Sequence, residues 1–157
     1  MAINKEGITT MDTLYTAQAS ATGGRNGKAA TKDGRLSVEL TAPTAPNRPA
    51  TGTDPEQLFA CGYAGCYGGA VEYAAKLLGH SLTAPVTVDS SVSLMAIEKT
   101  PNMRFTIGVE LVVHLQGVTE AQGQEITEKA HTICPYSNAT KGNIEVSTVV
   151  VAVPAAA

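Results

Sequence analysis

The chain is 157 residues long, 43% apolar and 16% charged, with a formal net charge of −3 from 11 basic and 14 acidic residues. That length suits one domain burying roughly 70% of its unfolded surface, and a mean hydropathy of +0.02 excludes a solvated disordered chain. The charges are scattered, which excludes the basic stripe of a nucleic-acid or membrane-surface binder.

In chain order, Met11 to Leu40 is rich in Thr, Ser and Ala and punctuated by Gly23-Gly24, Gly27 and Asp33-Gly34. This predicts short antiparallel strands with a hairpin turn at Asp33-Gly34. Thr41 to Gly52 holds Pro43, Pro46 and Pro49, each driving its predecessor out of the helical region, so an extended surface loop is expected. A helix then opens at Thr53-Asp54-Pro55-Glu56, with Pro55 at the first helical position and Glu56 as the acid of a capping box. It should end at Leu77-Leu78, before the left-handed turn that Gly79 favours. The roughly 24 residues between would span about 36 Å. Apolar side chains ring this helix, and Gly62, Gly65, Gly68 and Gly69 forfeit about 4 kcal/mol of helix propensity. Burial on more than one side and close approach by another helix would compensate, which predicts a buried central helix at a homodimer interface.

Beyond it, Val86, Val88, Val92, Leu94 and Ala96 alternate with polar residues, and Phe105, Ile107, Val109, Leu111, Val113 and Leu115 fill every second position. Two half-buried strands joined by a turn at Lys99-Thr100-Pro101-Asn102 follow. Thr119-Glu120-Ala121-Gln122 opens a second helix with a capping box, Pro135 ends it just after Cys134, and a last strand runs from Ile144 to Val153. The order predicts an α+β fold with antiparallel sheet, a single domain over residues 1–157. Met1 to Gly7 has no apolar signal core, and the longest apolar run is broken by Glu72 and Lys76. A cytoplasmic protein without a membrane span is expected.

His80, His114 and His131 lie far apart and no Cys-x-x-Cys spacing occurs, so no bound metal is expected; no phosphate-binding Gly-rich loop leads a strand into a helix. Three cysteines remain, Cys61, Cys66 and Cys134, too few for a disulfide framework. Such thiols are either buried small hydrophobes or reactive groups. A reactive thiol must ionise near neutral pH, which needs a helix N-terminus or a cation. Cys61, in the second turn of the long helix, gains a little from the dipole. Cys66 lies mid-helix beyond that effect, and Cys134, at the end of its helix, is a poor attacker but an acceptable resolving partner. Cys61 and Cys66 are about 140° apart around the axis, so at most one points into any given site. Local chemistry alone ranks Cys61 first; for Cys66 to attack, an arginine must come from elsewhere, and Arg25 lies in a Gly-rich turn. Three inert buried thiols remain the competing reading.

The segment Thr53-Asp-Pro-Glu-Gln-Leu-Phe-Ala-Cys-Gly-Tyr-Ala-Gly-Cys66 resembles a signature of the organic hydroperoxide resistance branch of the OsmC/Ohr superfamily. Ala130-His-Thr-Ile-Cys-Pro-Tyr-Ser-Asn-Ala-Thr-Lys-Gly-Asn-Ile144 is similar to its second cysteine block, and Gly23-Gly24-Arg25-Asn26-Gly27 followed by Asp33-Gly34-Arg35-Leu36 to its arginine-bearing segment. The blocks occur in family order over nearly the whole chain. The resemblance implies that Cys66 is the peroxidatic thiol, Cys134 the resolving thiol, Arg25 the guanidinium that stabilises the thiolate and Glu56 the carboxylate that orients Arg25. A guanidinium can hold a carboxylate on one edge and face a sulfur with the other, which a lysine cannot. Cys61 departs from the family's more usual small residue and is expected to be a buried spectator, the alternative being a disulfide partner for Cys134.

The implied activity is reduction of alkyl or lipid hydroperoxides through a Cys66 sulfenic acid and a Cys66–Cys134 disulfide, returned to dithiol by an external reductant such as a lipoylated protein. No metal, haem or flavin would be bound, and the implied assembly is an intertwined homodimer. Leu58, Phe59, Met95 and Phe105 are expected walls for an organic tail. Tyr63 and Tyr67 read as core aromatics, and Ser137 and Asn138 as turn residues presenting Cys134. The alternative from another class is a thiol-based oxidant sensor or hydrophobic-ligand-binding protein of the same fold, without peroxidase turnover.

Overall fold

The computed structural model describes residues 12–44, 47, 51–98 and 103–155. Two compact units meet in sequence between Asp54 and Pro55. The first is an antiparallel sheet of β1 (Ala19–Thr22), β2 (Lys28–Thr31) and β3 (Ser37–Glu39), in that spatial order. A 3-10 turn at Gly24–Asn26 joins β1 to β2. The predicted hairpin at Asp33-Gly34 is present: Gly34 has φ +73°, and Asp33 Oδ1 accepts from Thr31 Oγ1 at 2.7 Å and from the Arg35 N–H at 3.1 Å. Pro46 and Pro49 of the expected loop lie outside the described residues, as do Met1 to Gly7 and the turn at 99–102.

The second unit contains α1 (Pro55–Leu77), β4 (Thr87–Glu98), β5 (Arg104–Gln116), α2 (Glu120–Ile133), α3 (Pro135–Thr140) and β6 (Val146–Val153). Two of the predicted signals for α1, Pro55 at its start and Gly79 after its end, are present. Pro55 occupies its first position, and past its end the Gly79 N–H (φ +77°) bonds the Lys76 carbonyl while the His80 N–H reaches back to Ala75. Those two bonds form a Schellman end, which satisfies carbonyls the helix leaves open.

Within one chain α1 buries a single face, formed by Tyr63, Tyr67, Ala70, Val71, Ala74 and Ala75. Gln57, Cys61, Gly65, Gly69, Tyr73 and Leu77 follow the opposite, exposed stripe. Cys61 is therefore exposed, which corrects its expected burial. The helix glycines do not share one cause in this chain: a Cβ on Gly62 would meet the Tyr136 hydroxyl at 2.9 Å and one on Gly68 would touch Val88, whereas Gly65 and Gly69 face open space.

The second sheet has the order β4-β5-β6. β4 and β5 pair antiparallel from Thr87↔His114 to Glu98↔Arg104, as a hairpin requires. β6 runs parallel to β5, from Val109↔Val146 to Gln116↔Val153, so the sheet is mixed and the all-antiparallel expectation is corrected. The cause is the connection: residues 117–145 form a helical crossover that returns β6 in the direction of β5, whereas a tight turn would have reversed it. The predicted capping box starts this crossover, Gln122 N–H donating to Thr119 Oγ1 and Thr119 N–H to Gln122 Oε1.

The core joins α1, β5 and α2 through Tyr63, Tyr67, Val71, Leu111, Val113 and Ile126. Alternation along β5 holds from Val109 to Leu115, all buried, but fails at its start, where Phe105 is 56% exposed. Leu94 and Ala96 are exposed too, because the far end of the β4–β5 hairpin runs past the residues that cover its near end. Among the described residues no helix is long and apolar enough to cross a membrane.

Where α2 crosses the sheet, Gly123 is buried, and a Cβ there would lie 2.7 Å from Val150 Cγ1 and 3.3 Å from Leu115 Cδ1. Overpacking of that kind costs about 1–3 kcal/mol, more than the roughly 1 kcal/mol of helix propensity an alanine would add. Gly123→Ala should therefore lower stability by about 1 kcal/mol in urea unfolding; a gain in stability would show that the sheet yields at this contact.

Candidate active site

The X-Pro restriction at Cys134-Pro135 builds the site. Proline ring sterics keep the preceding residue out of the helical region, and Cys134 accordingly has φ −63° and ψ 122°. It is at once the C-cap of α2 and the N-cap of α3, with Pro135 at the start of the new helix. The sequence reading made Pro135 the end of a helix and the residues after it a turn; they form α3 instead. Asn138 stitches the junction, its Nδ2 donating to the carbonyls of Thr132 at 3.2 Å and Cys134 at 3.1 Å.

This break places the Cys134 sulfur, fully buried, 3.4 Å from Cys66 Sγ, although 68 positions separate the two residues. Both cysteines are free thiols and Cys66 is half-buried. A disulfide needs about 2.05 Å between sulfurs, so a shift of little more than 1 Å would close one. Cys61 lies on the exposed stripe of α1, away from the buried face.

Three influences act on the Cys66 thiol. Burial, the largest, pushes its pKa up from the ordinary value, the Cys134 thiol adds to that, and the Tyr136 backbone N–H at the start of α3 opposes it. On balance the second unit favours the neutral thiol. Ionisation near neutral pH would need a cation.

Glu56 sits in the first turn of α1, ten residues before Cys66 and therefore roughly 15 Å from it along the axis. A carboxylate so placed does not reach the sulfur itself. Arg25 is an exposed residue of the 3-10 turn in the first unit. Of the four residues picked from the sequence, the structure thus brings Cys66 and Cys134 into contact. Phe59 packs in the aromatic group beside them, its ring 5.9 Å from Tyr63 and 5.6 Å from Tyr136. Met95 and Phe105, expected as walls, are exposed on the far part of the hairpin. Among the described residues no group of three or more His, Cys, Asp or Glu is arranged to hold a metal ion.

Sequence reasoning passed over His131, which it weighed only as a metal ligand. Its ring lies 4.5 Å from that of Tyr67, Nδ1 is 2.9 Å from Ser137 Oγ and Nε2 is 2.8 Å from Thr148 Oγ1. Ser137 Oγ is also 3.0 Å from the Tyr63 hydroxyl, which in turn lies 3.3 Å from Thr140 Oγ1. The available signal was spacing: His131 and Ser137 stand three residues to either side of Cys134. Tyr67 is buried as expected, its hydroxyl donating to the Thr127 carbonyl at 2.8 Å, and burial pushes its pKa well above the ordinary phenol value.

Burial lowers the His131 pKa below its ordinary 6.5. The unfolded chain then takes up this proton before the folded one does, so stability present above about pH 6.5 is lost as pH falls toward the folded value. The urea midpoint should drop between about pH 7.5 and about pH 5.5, and His131→Gln should remove part of that drop; an equal drop in the variant would trace it to other groups.

The OsmC-like protein family matches residues 47–149 of the chain. An organic hydroperoxide resistance protein of Xanthomonas axonopodis pv. citri is 44% identical over 135 residues, covering 85% of this chain and 92% of that protein. The organic hydroperoxide resistance protein OhrB of Bacillus subtilis is 43% identical over 133 residues, covering 85% of this chain and 95% of that one. The crystal structure of OhrB superposes with a TM-score of 0.80 at 40% identity, covering 88% of this chain and all of that one (100%).

Proposed function

Since the chain belongs to the OsmC-like family, with relatives in its organic hydroperoxide resistance branch, we propose that it protects against organic hydroperoxides by reducing them, as a two-cysteine peroxidase. The observation that carries this reading is the 3.4 Å approach of Cys134 Sγ to Cys66 Sγ in a half-buried setting. The Cys66 thiolate attacks one oxygen of the hydroperoxide and the O–O bond breaks, releasing an alcohol once the leaving alkoxide takes a proton and leaving Cys66 as sulfenic acid. Cys134 then attacks the sulfenic sulfur, water leaves, and the Cys66–Cys134 disulfide forms. An external dithiol, a lipoyl group on a protein, returns it to the two thiols by exchange. No resident metal or organic cofactor takes part in this scheme.

The charge on Cys66 explains the need for Arg25. With burial pushing the thiol toward its neutral form, a guanidinium beside the sulfur is the compensating cation, and Glu56 holds that guanidinium in place by its other edge. The proposed assembly is a homodimer. Exposed apolar side chains, among them Tyr73 and Leu77 on α1, support burial against a second copy. The apolar face of Phe59 favours an alkyl or lipid tail over hydrogen peroxide.

Steady-state consumption of cumene hydroperoxide with dihydrolipoamide as reductant tests the proposal. Catalytic turnover is expected, Cys66→Ser should abolish it, and Cys134→Ser should allow one oxidation of Cys66 without cycling. Oxidation of the wild type that stops after one equivalent would favour the sensor reading, and inert thiols would dismiss both. Arg25→Gln should raise the Cys66 pKa, read from the pH dependence of alkylation, and cut peroxide reduction at neutral pH roughly tenfold or more. An unchanged pKa would remove Arg25 from the site.

A further inference from the structure

The peroxidase reading uses Cys134 but does not say what holds it against Cys66. Cys134 sits at a helix break, where its own backbone is extended and the chain turns from α2 into α3. Two helices joined at a single non-helical residue keep a fixed angle only if something ties them together. Asn138 Nδ2, donating to the Thr132 carbonyl at 3.2 Å, is one tie across the break; the other is the contact of His131 Nδ1 with Ser137 Oγ at 2.9 Å, which has Cys134 at its midpoint.

This contact belongs to a chain of hydrogen bonds whose directions follow from one another. Thr140 Oγ1 donates to the Tyr136 carbonyl at 2.9 Å, so its contact with the Tyr63 hydroxyl needs the tyrosine proton. The contact between Tyr63 and Ser137 then needs the serine proton, and the one between Ser137 and His131 needs a proton on Nδ1. Thr148 on β6 completes the chain by donating to Nε2. A neutral histidine with its proton on Nδ1 satisfies every partner. Ser137, only 6% exposed, thereby fastens α3 to α2 through His131 and to α1 through Tyr63, one turn before Cys66.

We infer that His131 and Ser137 are positioning residues for the disulfide-forming step, holding Cys134 Sγ in reach of Cys66 Sγ while leaving the attack on peroxide alone. The inference rests on the peroxidase reading for its biological meaning, but the geometry it describes operates with any oxidant of Cys66. The step concerned is condensation of Cys66–SOH with Cys134–SH to a disulfide and water. When it slows, the sulfenic acid outlives its normal span and a further hydroperoxide takes it to sulfinic acid.

The test measures two rates separately in the reduced full-length protein, loss of the Cys66 thiol on mixing with cumene hydroperoxide, and appearance of the Cys66–Cys134 disulfide by mass spectrometry after acid quench. In Ser137→Ala the first rate should stay within about twofold of wild type, while the second falls roughly 10- to 100-fold, as a misplaced reacting group does. Dimedone labelling and sulfinic acid at Cys66 should rise together, and Ser137→Thr, which keeps the hydroxyl, should recover most of the rate. General loosening of the fold would slow both steps or neither. If Ser137→Ala does not fold by circular dichroism, His131→Gln serves in its place, since it cuts the tie to α2 and spares that to Tyr63.

A parallel arm replaces peroxide with diamide, which links two thiols by adding to one and being displaced by the other. If the wild type resists cumene hydroperoxide but diamide joins Cys66 to Cys134, the peroxidase reading fails and the diamide rates alone judge the positioning. Disulfide formation at the wild-type rate in the folded variant overturns the inference with either oxidant.

Discussion

The architecture of the site depends on the steric clash between a proline ring and the residue before it. Pro135 keeps Cys134 extended, which ends α2, starts α3 and turns the Cys134 sulfur toward α1. The rest of the arrangement follows from that break. The Tyr136 backbone N–H at the start of α3 acts to lower the Cys66 pKa, Asn138 satisfies two carbonyls at the junction, and Ser137 connects all three helices. An uninterrupted helix would have used the Cys134 carbonyl and side chain along one straight axis, with no second helix start beside Cys66.

Burial brings the two sulfurs together and also works against the chemistry proposed for them. A half-buried thiol packed against a core of buried tyrosines and Cys134 is partly withdrawn from water, which suits an organic substrate but disfavours the thiolate. The backbone N–H of Tyr136 offsets part of this. The remainder falls in the proposal to a guanidinium, the one side chain that stays charged at every relevant pH while engaging both a carboxylate and a sulfur. That division of labour explains why a mid-helix cysteine, ranked second on local chemistry, is the better candidate than Cys61. Cys61 is nearer the helix start but lies on the exposed stripe, away from Cys134.

Signals that act over a few residues were legible in the sequence. The start and Schellman end of α1, the capping box of α2, the turn at Asp33-Gly34 and the alternation of Val109 to Leu115 are each set by contacts within one turn or one strand. What depends on distant partners was not. The direction of β6 is decided by a crossover whose path no local pattern records, and the exposure of Leu94, Ala96 and Phe105 by how far the helices extend over the sheet. Alternation shows which side of a strand is apolar but cannot show whether anything covers it. α3 was missed because Pro, Ser and Asn favour turns and helix starts alike. The pairing of Cys66 with Cys134 entered through resemblance of motifs, since spacing alone gave no reason to join residues 68 apart.

Direct mapping of the bond that forms tests the central claim most simply. The reduced protein is exposed to one equivalent of cumene hydroperoxide, digested without reductant and its disulfides identified by mass spectrometry, before and after dihydrolipoamide. The account predicts a Cys66–Cys134 linkage that dihydrolipoamide reverses, with Cys61 still a thiol. A Cys61–Cys134 linkage, or three thiols untouched by the peroxide, would contradict it.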